Sequence, residues 1–302
     1  MELGMVGLGK MGANMTVRLL RGGHRVVGFA RRKEVVEAVV QQGAVGADSL
    51  AHLVGQLRPP RVVWLMIPAG APVDQTLEGL RPLLAPGDLL VDGGNSYYRD
   101  TLRRAASVRD WGFRYVDVGT SGGIWGLTEG YSMMVGGEGP DVERIRPILE
   151  TLAPNPNRGW GRMGPVGSGH FVKMVHNGIE YGMMQAYAEG FAVLQAKAEF
   201  ALDLHQVAEV WRYGSVVRSW LLELAESALA ENPTLQGVEP WVADSGEGRW
   251  TVTEAMELDI PAPVITLALQ QRLRSRESDP FAEKLLAMMR NKFGGHDVKR
   301  ET

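Results

Sequence analysis

The sequence of 302 residues contains no cysteine, which excludes disulfide bonds, thiol catalysis and cysteine-ligated metal sites. It has no apolar run of about 18 residues, the length that would indicate a membrane-spanning helix. Charges of the two signs nearly balance. The net charge of −3 gives no broad attraction to nucleic acid or to a membrane surface. The six histidines show no metal-ligand spacing. We therefore expect a cytoplasmic protein without a metal, a nucleic-acid partner or a membrane attachment.

The remaining composition is that of an ordinary enzyme, with 45% hydrophobic and 22% charged residues. This length is sufficient for a large core and favours two domains.

A glycine motif follows the first apolar run, Leu3–Val6, and precedes a helical pattern that ends at Gly22. In a GxGxxG motif between a strand and a helix, the glycines allow a tight turn, a close approach of pyrophosphate and close helix–strand packing. This context predicts dinucleotide binding, and the alternative is a glycine-rich turn with no ligand. The motif comprises Gly7, Leu8, Gly9, Lys10, Met11 and Gly12.

The second predicted strand, Arg25–Phe29, is followed by Ala30, Arg31 and Arg32. An NAD site usually has an acidic residue here, which binds the ribose 2′-hydroxyl. Guanidinium groups instead suit a 2′-phosphate. The sequence therefore favours NADP and leaves NAD possible, since a solvated basic loop would tolerate either.

Strand and helix patterns then alternate, which predicts an α/β fold with a doubly wound, mostly parallel Rossmann sheet. Right-handed crossovers would bring the carboxyl ends of the strands to one edge, where ligands bind. The predicted strands are Arg61–Ile67, Leu89–Asp92, Tyr115–Val118 and Ser132–Val135, and the predicted helices are Ser49–Leu57, Pro72–Leu84, Asp100–Trp111 and Asp141–Leu152.

Three turns rich in small residues are expected at that edge. Ile67 and Pro68 begin the first, Asn95 lies in the second, and Ser121, Gly122 and Gly123 form the third. Asn95 and Ser121 could bind a polyhydroxylated ligand, although such turns also occur for purely structural reasons.

A boundary is indicated by Ala153–Gly169, which contains three prolines and five glycines. We expect a dinucleotide-binding domain over residues 1–166 and an all-α domain over residues 167–302. The second domain would be built on a long helix, Ser168–Lys197, which contains no proline. Because Gly178 and Gly182 each cost about 1 kcal/mol relative to alanine, another element is expected to pack closely against them.

One stripe of this helix contains His170, Lys173, Asn177, Glu180 and Tyr181. The helix is otherwise so apolar that we expect burial on most sides, with the stripe facing a cleft. A neutral lysine can act as a general base towards an alcohol, an amide can hold the hydroxyl group, and a protonated carboxyl group can act as an acid. The alternative is the solvated face of an ordinary amphipathic helix.

Six sequence blocks resemble the decarboxylating 6-phosphogluconate dehydrogenases, in particular their short bacterial form. They extend over essentially the whole chain, and the block at 173–185 together with the block at 290–296 is the most specific. The blocks are GLGKMG (7–12), DGGNS (92–96), SGG (121–123), KMVHNGIEYGMMQ (173–185), GRWT (248–251) and RNKFGGH (290–296).

The resemblance implies oxidation and decarboxylation of 6-phosphogluconate to ribulose 5-phosphate and CO2 in the pentose phosphate pathway and in gluconate utilization. Lys173 would be the general base, Glu180 the acid that protonates C1, and Asn177 a third catalytic residue that holds the substrate. Residues implied to bind the sugar acid are Asn95, Ser121, Gly122, Gly123 and His176, and those implied to bind its phosphate are Tyr181, Arg249 and Arg272. The implied cofactor contacts are the glycine motif with Ala30, Arg31, Arg32, Ile67, Pro68 and Asn95.

From the sequence alone, Arg290 and His296 belong to a charged tail, and such tails usually fray. The resemblance instead implies that this tail enters the neighbouring subunit's site, so a homodimer or a dimer of dimers is expected. Arg249 stands where the longer enzymes commonly have lysine.

Two other functions remain possible from the sequence. A non-decarboxylating β-hydroxyacid dehydrogenase of the 3-hydroxyisobutyrate type would share the motif at 7–12, Lys173 and Asn177. A catalytically inert nucleotide-binding protein would retain only the Rossmann fold.

Overall fold

The computed structural model describes residues 1–294 and 297–300, without the side chains of residues 293 and 294. The chain divides into two compact units, Met1–Asn177 and Gly178–Thr302. We call them the N-terminal and C-terminal units. The division falls inside the long helix, and the boundary at residues 166 and 167 stays a prediction.

The N-terminal unit contains a sheet of eight strands within the described part of the chain, in the order β3-β2-β1-β4-β5-β6-β7-β8. Strands β1 to β6 are parallel, β7 is antiparallel to β6, and β8 is parallel to β7. The strands are β1 (Glu2–Val6), β2 (Arg25–Phe29), β3 (Val45–Ala47), β4 (Val62–Leu65), β5 (Leu89–Asp92), β6 (Arg114–Ser121), β7 (Ser132–Gly136) and β8 (Trp160–Gly164).

Helices cover both faces of this sheet, as a buried parallel sheet requires. One core contains Met15 and Ile145 together with one face of the strands, and the other contains Leu53 and Leu77 together with the opposite face. The helices are α1 (Lys10–Arg21), α2 (Lys33–Val40), α3 (Leu50–Gly55), α4 (Ala71–Leu80), α5 (Tyr98–Asp110), α6 (Gly126–Glu129), α7 (Gly139–Leu152) and α8 (Ser168–Ala196).

The predicted mostly parallel sheet is confirmed, but several elements were missed, among them α2, β3, α6 and β8. Helix α2 and the three-residue β3 lie between the second and third predicted strands. Strand β8 lies inside the glycine- and proline-rich segment that was interpreted only as a boundary. This edge strand is half-buried or exposed throughout, so it lacks the apolar run by which an interior strand is recognised.

The described residues of the C-terminal unit contain helices and no strand. Serine and aspartate caps begin two helices, since Asp203 accepts a hydrogen bond from the Gln206 amide and Ser219 accepts one from the Leu222 amide. After the end of α8, the helices are α9 (Leu204–Trp211), α10 (Trp220–Glu231), α11 (Glu247–Glu257), α12 (Pro263–Arg274) and α13 (Phe281–Gly294).

Helix α8 differs from the expectation of burial on most sides. Its first turns are buried, but Ile179 and Val193 are 52% and 72% exposed. The predicted close approach is confirmed at Gly178, where an added Cβ would lie 2.6 Å from the Thr251 methyl group. At Gly182 it would lie 3.3 Å from Val264, so the packing there is looser.

Candidate active site

The glycine motif turns from β1 into α1 in the geometry that a dinucleotide needs. Gly7 has φ +97°, and a Cβ there would overlap the Met66 carbonyl oxygen. A Cβ on Gly12 would overlap the Gly7 carbonyl oxygen, whereas Gly9 faces open space. The two tight positions shape the turn, and the open position lets a phosphate approach the amino end of α1.

A cavity of about 360 Å³ lies against this turn. It is mostly apolar and is bordered by basic side chains at the end of β2, a lining suited to the adenosine half of a dinucleotide. The predicted cofactor residues among its lining are Gly7, Leu8, Gly9, Ala30, Arg31, Arg32, Ile67 and Pro68. Lys10, Met11 and Gly12 begin α1 beside it.

Replacing Gly9 and Gly7 with alanine is expected to separate binding from folding. Gly9→Ala should leave the melting temperature unchanged and weaken nucleotide binding about tenfold or more, because the methyl group enters the phosphate's space. Gly7→Ala should lower the free energy of unfolding by about 1–3 kcal/mol, because its φ is positive and its methyl group meets backbone. Thermal unfolding and nucleotide titration of both variants test this, and equal stability losses would contradict it.

Two loops at the carboxyl edge of the sheet are joined by Asn95. Its amide nitrogen donates to the Thr120 carbonyl oxygen at 2.9 Å, and its Oδ1 accepts from the Thr120 amide at 2.7 Å. Asn95 has φ +53°, a conformation that asparagine tolerates better than most residues. Asn95 therefore positions Ser121, Gly122 and Gly123 and retains one N–H group and one lone pair for a ligand.

Asp92, which is fully buried, anchors the first of these loops. Its carboxylate accepts hydrogen bonds from the Gly94 amide at 3.1 Å, the Ser96 hydroxyl at 2.8 Å and the Tyr115 hydroxyl at 3.1 Å. Burial raises the pKa of Tyr115 well above its ordinary value, and the nearby Asp92 carboxylate acts in the same direction. The phenol therefore remains a proton donor to Asp92.

Lys173 is only 4% exposed, and its stem packs against β6. A Cβ on Gly119 would overlap the Cβ of Lys173, so only glycine at 119 allows this approach. The Nζ atom lies 2.6 Å from Asn177 Oδ1 and 3.2 Å from His176 Nδ1. Lys173, His176 and Asn177, three of the predicted site residues, therefore lie together on two turns of α8.

Asp117 was missed by sequence reasoning and holds the start of α8. Its carboxylate, on β6, accepts hydrogen bonds from the amides of Gly167 at 2.6 Å and His170 at 2.8 Å. Burial raises the pKa of Asp117 above its ordinary value, although His170 and the two amides act in the opposite direction. A charged residue inside the apolar run Tyr115–Val118 is the signal that could have indicated it.

His170 does not face a cleft, contrary to its place on the predicted polar stripe. It is 1% exposed, and its Nδ1 lies 2.7 Å from the Thr101 hydroxyl oxygen. The Thr101 hydroxyl oxygen also lies 3.3 Å from the Tyr97 carbonyl oxygen. His170 therefore connects α8 to α5.

The C-terminal unit brings together the three residues expected to bind phosphate. The Arg272 guanidinium lies 3.5 Å from the centre of the Tyr181 ring, a cation–π contact. Gly248 packs so closely on this ring that a Cβ would overlap it. The Tyr181 hydroxyl lies 3.5 Å from Asp244 Oδ1, and the Arg249 guanidinium lies 2.8 Å from Asp244 Oδ2.

Asp244 was also missed, and it places a carboxylate within this cationic group. Burial raises its pKa, but hydrogen bonds from Arg249 and the Gly246 amide outweigh that effect and hold the pKa below its ordinary value. Asp244 is therefore ionised at neutral pH and neutralises Arg249.

The remaining predicted residues lie at separate places. Glu180 is half-buried on α8, one turn beyond His176. Arg290 is exposed on α13. His296 lies outside the described residues.

Across residues 1–294 and 297–300, no helix is long and apolar enough to cross a membrane. The same described part holds no group of three or more acidic or histidine side chains that could bind a metal ion.

The fold and the glycine turn define an oxidoreductase with an NAD(P)-binding Rossmann domain. Two family models match the chain: the NAD binding domain of 6-phosphogluconate dehydrogenase over residues 2–164, and the 6-phosphogluconate dehydrogenase C-terminal domain over residues 169–301. The chain belongs to the 6-phosphogluconate dehydrogenase family.

Some relatives are named for NAD(+) and others for NADP(+). An NAD(+)-dependent, decarboxylating 6-phosphogluconate dehydrogenase of Haloferax volcanii is 46% identical over 100% of this chain and 99% of its own length. An NADP(+)-dependent, decarboxylating enzyme of Bacillus subtilis is 34% identical over 91% of this chain and 61% of its own length.

Among solved structures, the 6-phosphogluconate dehydrogenase of Plasmodium falciparum, described with NADP+ and with 6-phosphogluconate, matches with a TM-score of 0.84 and 28% identity. This match covers 100% of the present chain and 66% of the Plasmodium chain.

Proposed function

We propose that this protein oxidises and decarboxylates 6-phosphogluconate, giving ribulose 5-phosphate and CO2 with reduction of NADP. The observation that carries the proposal is the buried Lys173 amine, hydrogen-bonded to Asn177, in a chain of this family. This amine lies largely out of water beside an amide oxygen and an imidazole nitrogen, a position suited to accepting the proton of an alcohol.

Lys173 takes the proton of the substrate 3-hydroxyl in this mechanism, and Asn177 with His176 orients the hydroxyl group. A dinucleotide held at the glycine turn would supply the nicotinamide that takes up the hydride leaving C3. The 3-keto acid then loses CO2, because its carbonyl group accepts the electrons of the breaking bond, and Lys173 returns its proton to that oxygen. Glu180 protonates C1 of the enediol while Lys173 accepts the enediol proton, which completes ribulose 5-phosphate.

Two further groups bind the substrate in this proposal. Asn95, Ser121, Gly122 and Gly123 hold the sugar acid. The phosphate is held by Tyr181, Arg249 and Arg272, whose cationic group in the C-terminal unit supports this assignment. Guanidinium groups offer paired donors that match phosphate oxygens.

The preference for NADP rests on Arg31 and Arg32, which are exposed at the end of β2 and border the cavity. Arg31→Ser should raise the KM for NADP about tenfold, since a charge-assisted hydrogen bond contributes about 1.5–3 kcal/mol and exposure weakens it. The KM for NAD should change little. Initial rates with both nucleotides test this, and equal effects on the two cofactors would contradict the assignment. Arg21→Ser, an exposed arginine at the end of α1, is the control.

A homodimer or a dimer of dimers is part of the proposal, with Arg290 and His296 entering the neighbouring site. Apolar side chains on α8 and α13 are exposed, among them Val193 and Leu286. They support a surface that a second subunit would cover. Sedimentation of the protein tests the assembly. The cytoplasmic location is likewise a proposal.

The deciding experiment is a spectrophotometric assay of NADP and NAD reduction with 6-phosphogluconate, with CO2 release measured in parallel. Reduction with stoichiometric CO2 is expected. Reduction without CO2, or activity with 3-hydroxyisobutyrate alone, would favour the non-decarboxylating enzyme. Tight nucleotide binding with no turnover of either acid would indicate an inert nucleotide-binding protein.

A further inference from the structure

Strand β6 holds the start of α8 through a single carboxylate. Asp117 is fully buried and accepts two backbone hydrogen bonds, from Gly167 and His170, at distances of 2.6 and 2.8 Å. Gly167 directly precedes α8 and His170 lies in its first turn, so neither N–H group has an acceptor within the helix. The anchor is therefore a charge at a helix amino terminus, which both hydrogen bonding and the helix dipole favour.

The same face of β6 also contacts Lys173. Residues 117 and 119 point to one side of the strand, because side chains alternate. On that side Gly119 meets the Cβ and Cγ of Lys173, and an added Cβ would lie 3.1 Å from Cγ. His170 and Lys173 are one turn apart on α8, so the anchored residue and the proposed base share a helix face.

The neighbouring backbone leaves the anchor little freedom. A Cβ on Gly136 would meet the Asp117 carboxylate, and a Cβ on Gly169 would lie 2.7 Å from the Gly136 nitrogen and 2.8 Å from the Asp117 carbonyl oxygen. The first turn of α8 thus lies directly on β6 and β7. If one of the hydrogen bonds to Asp117 is lost, the start of the helix therefore has to move.

We propose that Asp117 is a positioning residue for Lys173: it fixes the first turn of α8 against β6 and thereby sets where the lysine amine lies. This inference rests on the proposed function, because it concerns the same base. Asp117 itself does not contact the reacting atoms in this role. It acts through the backbone of Gly167 and His170.

Asp117→Asn tests the role with an almost unchanged shape. The amide group keeps one acceptor oxygen and turns an N–H group towards one of the two backbone donors, so one bond is replaced by a repulsive contact. We expect kcat to fall about 10- to 100-fold, because moving a catalytic group by about 1 Å lowers the rate by this order. The KM for 6-phosphogluconate and the Kd for NADP should change by less than about threefold, since an effect on kcat alone reports a loss of transition-state geometry.

Asp88→Asn is the matched control. Asp88 is 1% exposed and accepts hydrogen bonds from the amides of Arg61 at 2.6 Å and Ala85 at 2.9 Å. It precedes β5, at the amino edge of the sheet, whereas Gly119 meets Lys173 towards the carboxyl end of β6. The control should lose stability as Asp117→Asn does and should retain the wild-type kcat.

The outcomes are distinguishable. A folded Asp117→Asn enzyme with the wild-type kcat, or one whose kcat falls no more than that of Asp88→Asn, overturns the positioning role. Failure of the wild-type protein to reduce NADP with 6-phosphogluconate contradicts the proposed function instead. If Asp117→Asn does not fold, Asp117→Ser, whose hydroxyl can accept one of the bonds without a buried charge, is measured against the same criteria.

Discussion

Lys173→Met should lower kcat by about 10²–10⁴-fold, the usual contribution of a positioned general base. Methionine keeps an unbranched apolar stem against Gly119 and removes only the amine, so the helix should retain its packing. Nucleotide binding should remain close to wild type, because the glycine turn and the cavity beside β2 do not include this residue. The expected result is a folded, nucleotide-binding protein that does not transfer hydride.

Single-turnover and steady-state rates of NADP reduction check this prediction, alongside thermal unfolding. Lys197→Met serves as the control, because Lys197 follows α8 directly and forms an exposed ion pair with Glu199. It should keep the wild-type kcat. A Lys173→Met protein that is unfolded would indicate a structural lysine, and one that is fully active would remove the proposed base.

Glu180→Gln should also lower kcat by about 10²–10⁴-fold, but at a later step. The amide cannot donate the proton that C1 of the enediol needs, whereas hydride transfer and decarboxylation require only Lys173. We therefore expect a rapid first formation of one NADPH per site, followed by slow turnover. Lys173→Met should show no such burst, so the two variants are distinguished by one measurement.

Rapid mixing with 6-phosphogluconate, followed by absorbance of NADPH and release of CO2, measures the burst. Glu189→Gln is the matched control on the same helix, where the exposed Glu189 accepts a hydrogen bond from Gln185 at 2.8 Å. It should behave as wild type. Loss of the burst in Glu180→Gln would assign Glu180 to an earlier step.

Local patterns predicted the elements that carry the glycine turn and the proposed base. The spacing of Gly7, Gly9 and Gly12 specifies the turn, because Gly7 and Gly12 lie against backbone atoms and Gly9 faces open space. The long helix was located to within one residue at its end, since it lacks proline and follows a boundary. Periodicity likewise placed Lys173 and Asn177 on one face.

Contacts between distant parts of the chain could not be predicted in this way. Asp117 binds amides 50 and 53 residues further along, and His170 binds Thr101, 69 residues away. Periodicity alone assigned His170 to the polar stripe, because a buried histidine with a distant partner has the same spacing as an exposed one. The role of Asp244 could not be predicted from the sequence either, because only the packing of the C-terminal unit brings it to Tyr181 and Arg249.

Asp244 has a consequence for the proposed phosphate site of the C-terminal unit. An incoming anion has to compete with a carboxylate that already neutralises Arg249. A singly charged anion such as chloride or acetate offers no more charge than Asp244 and gains little by replacing it. A phosphomonoester carries nearly two charges and several acceptor oxygens, so the built-in carboxylate favours doubly charged ligands over the abundant monoanions of a cell.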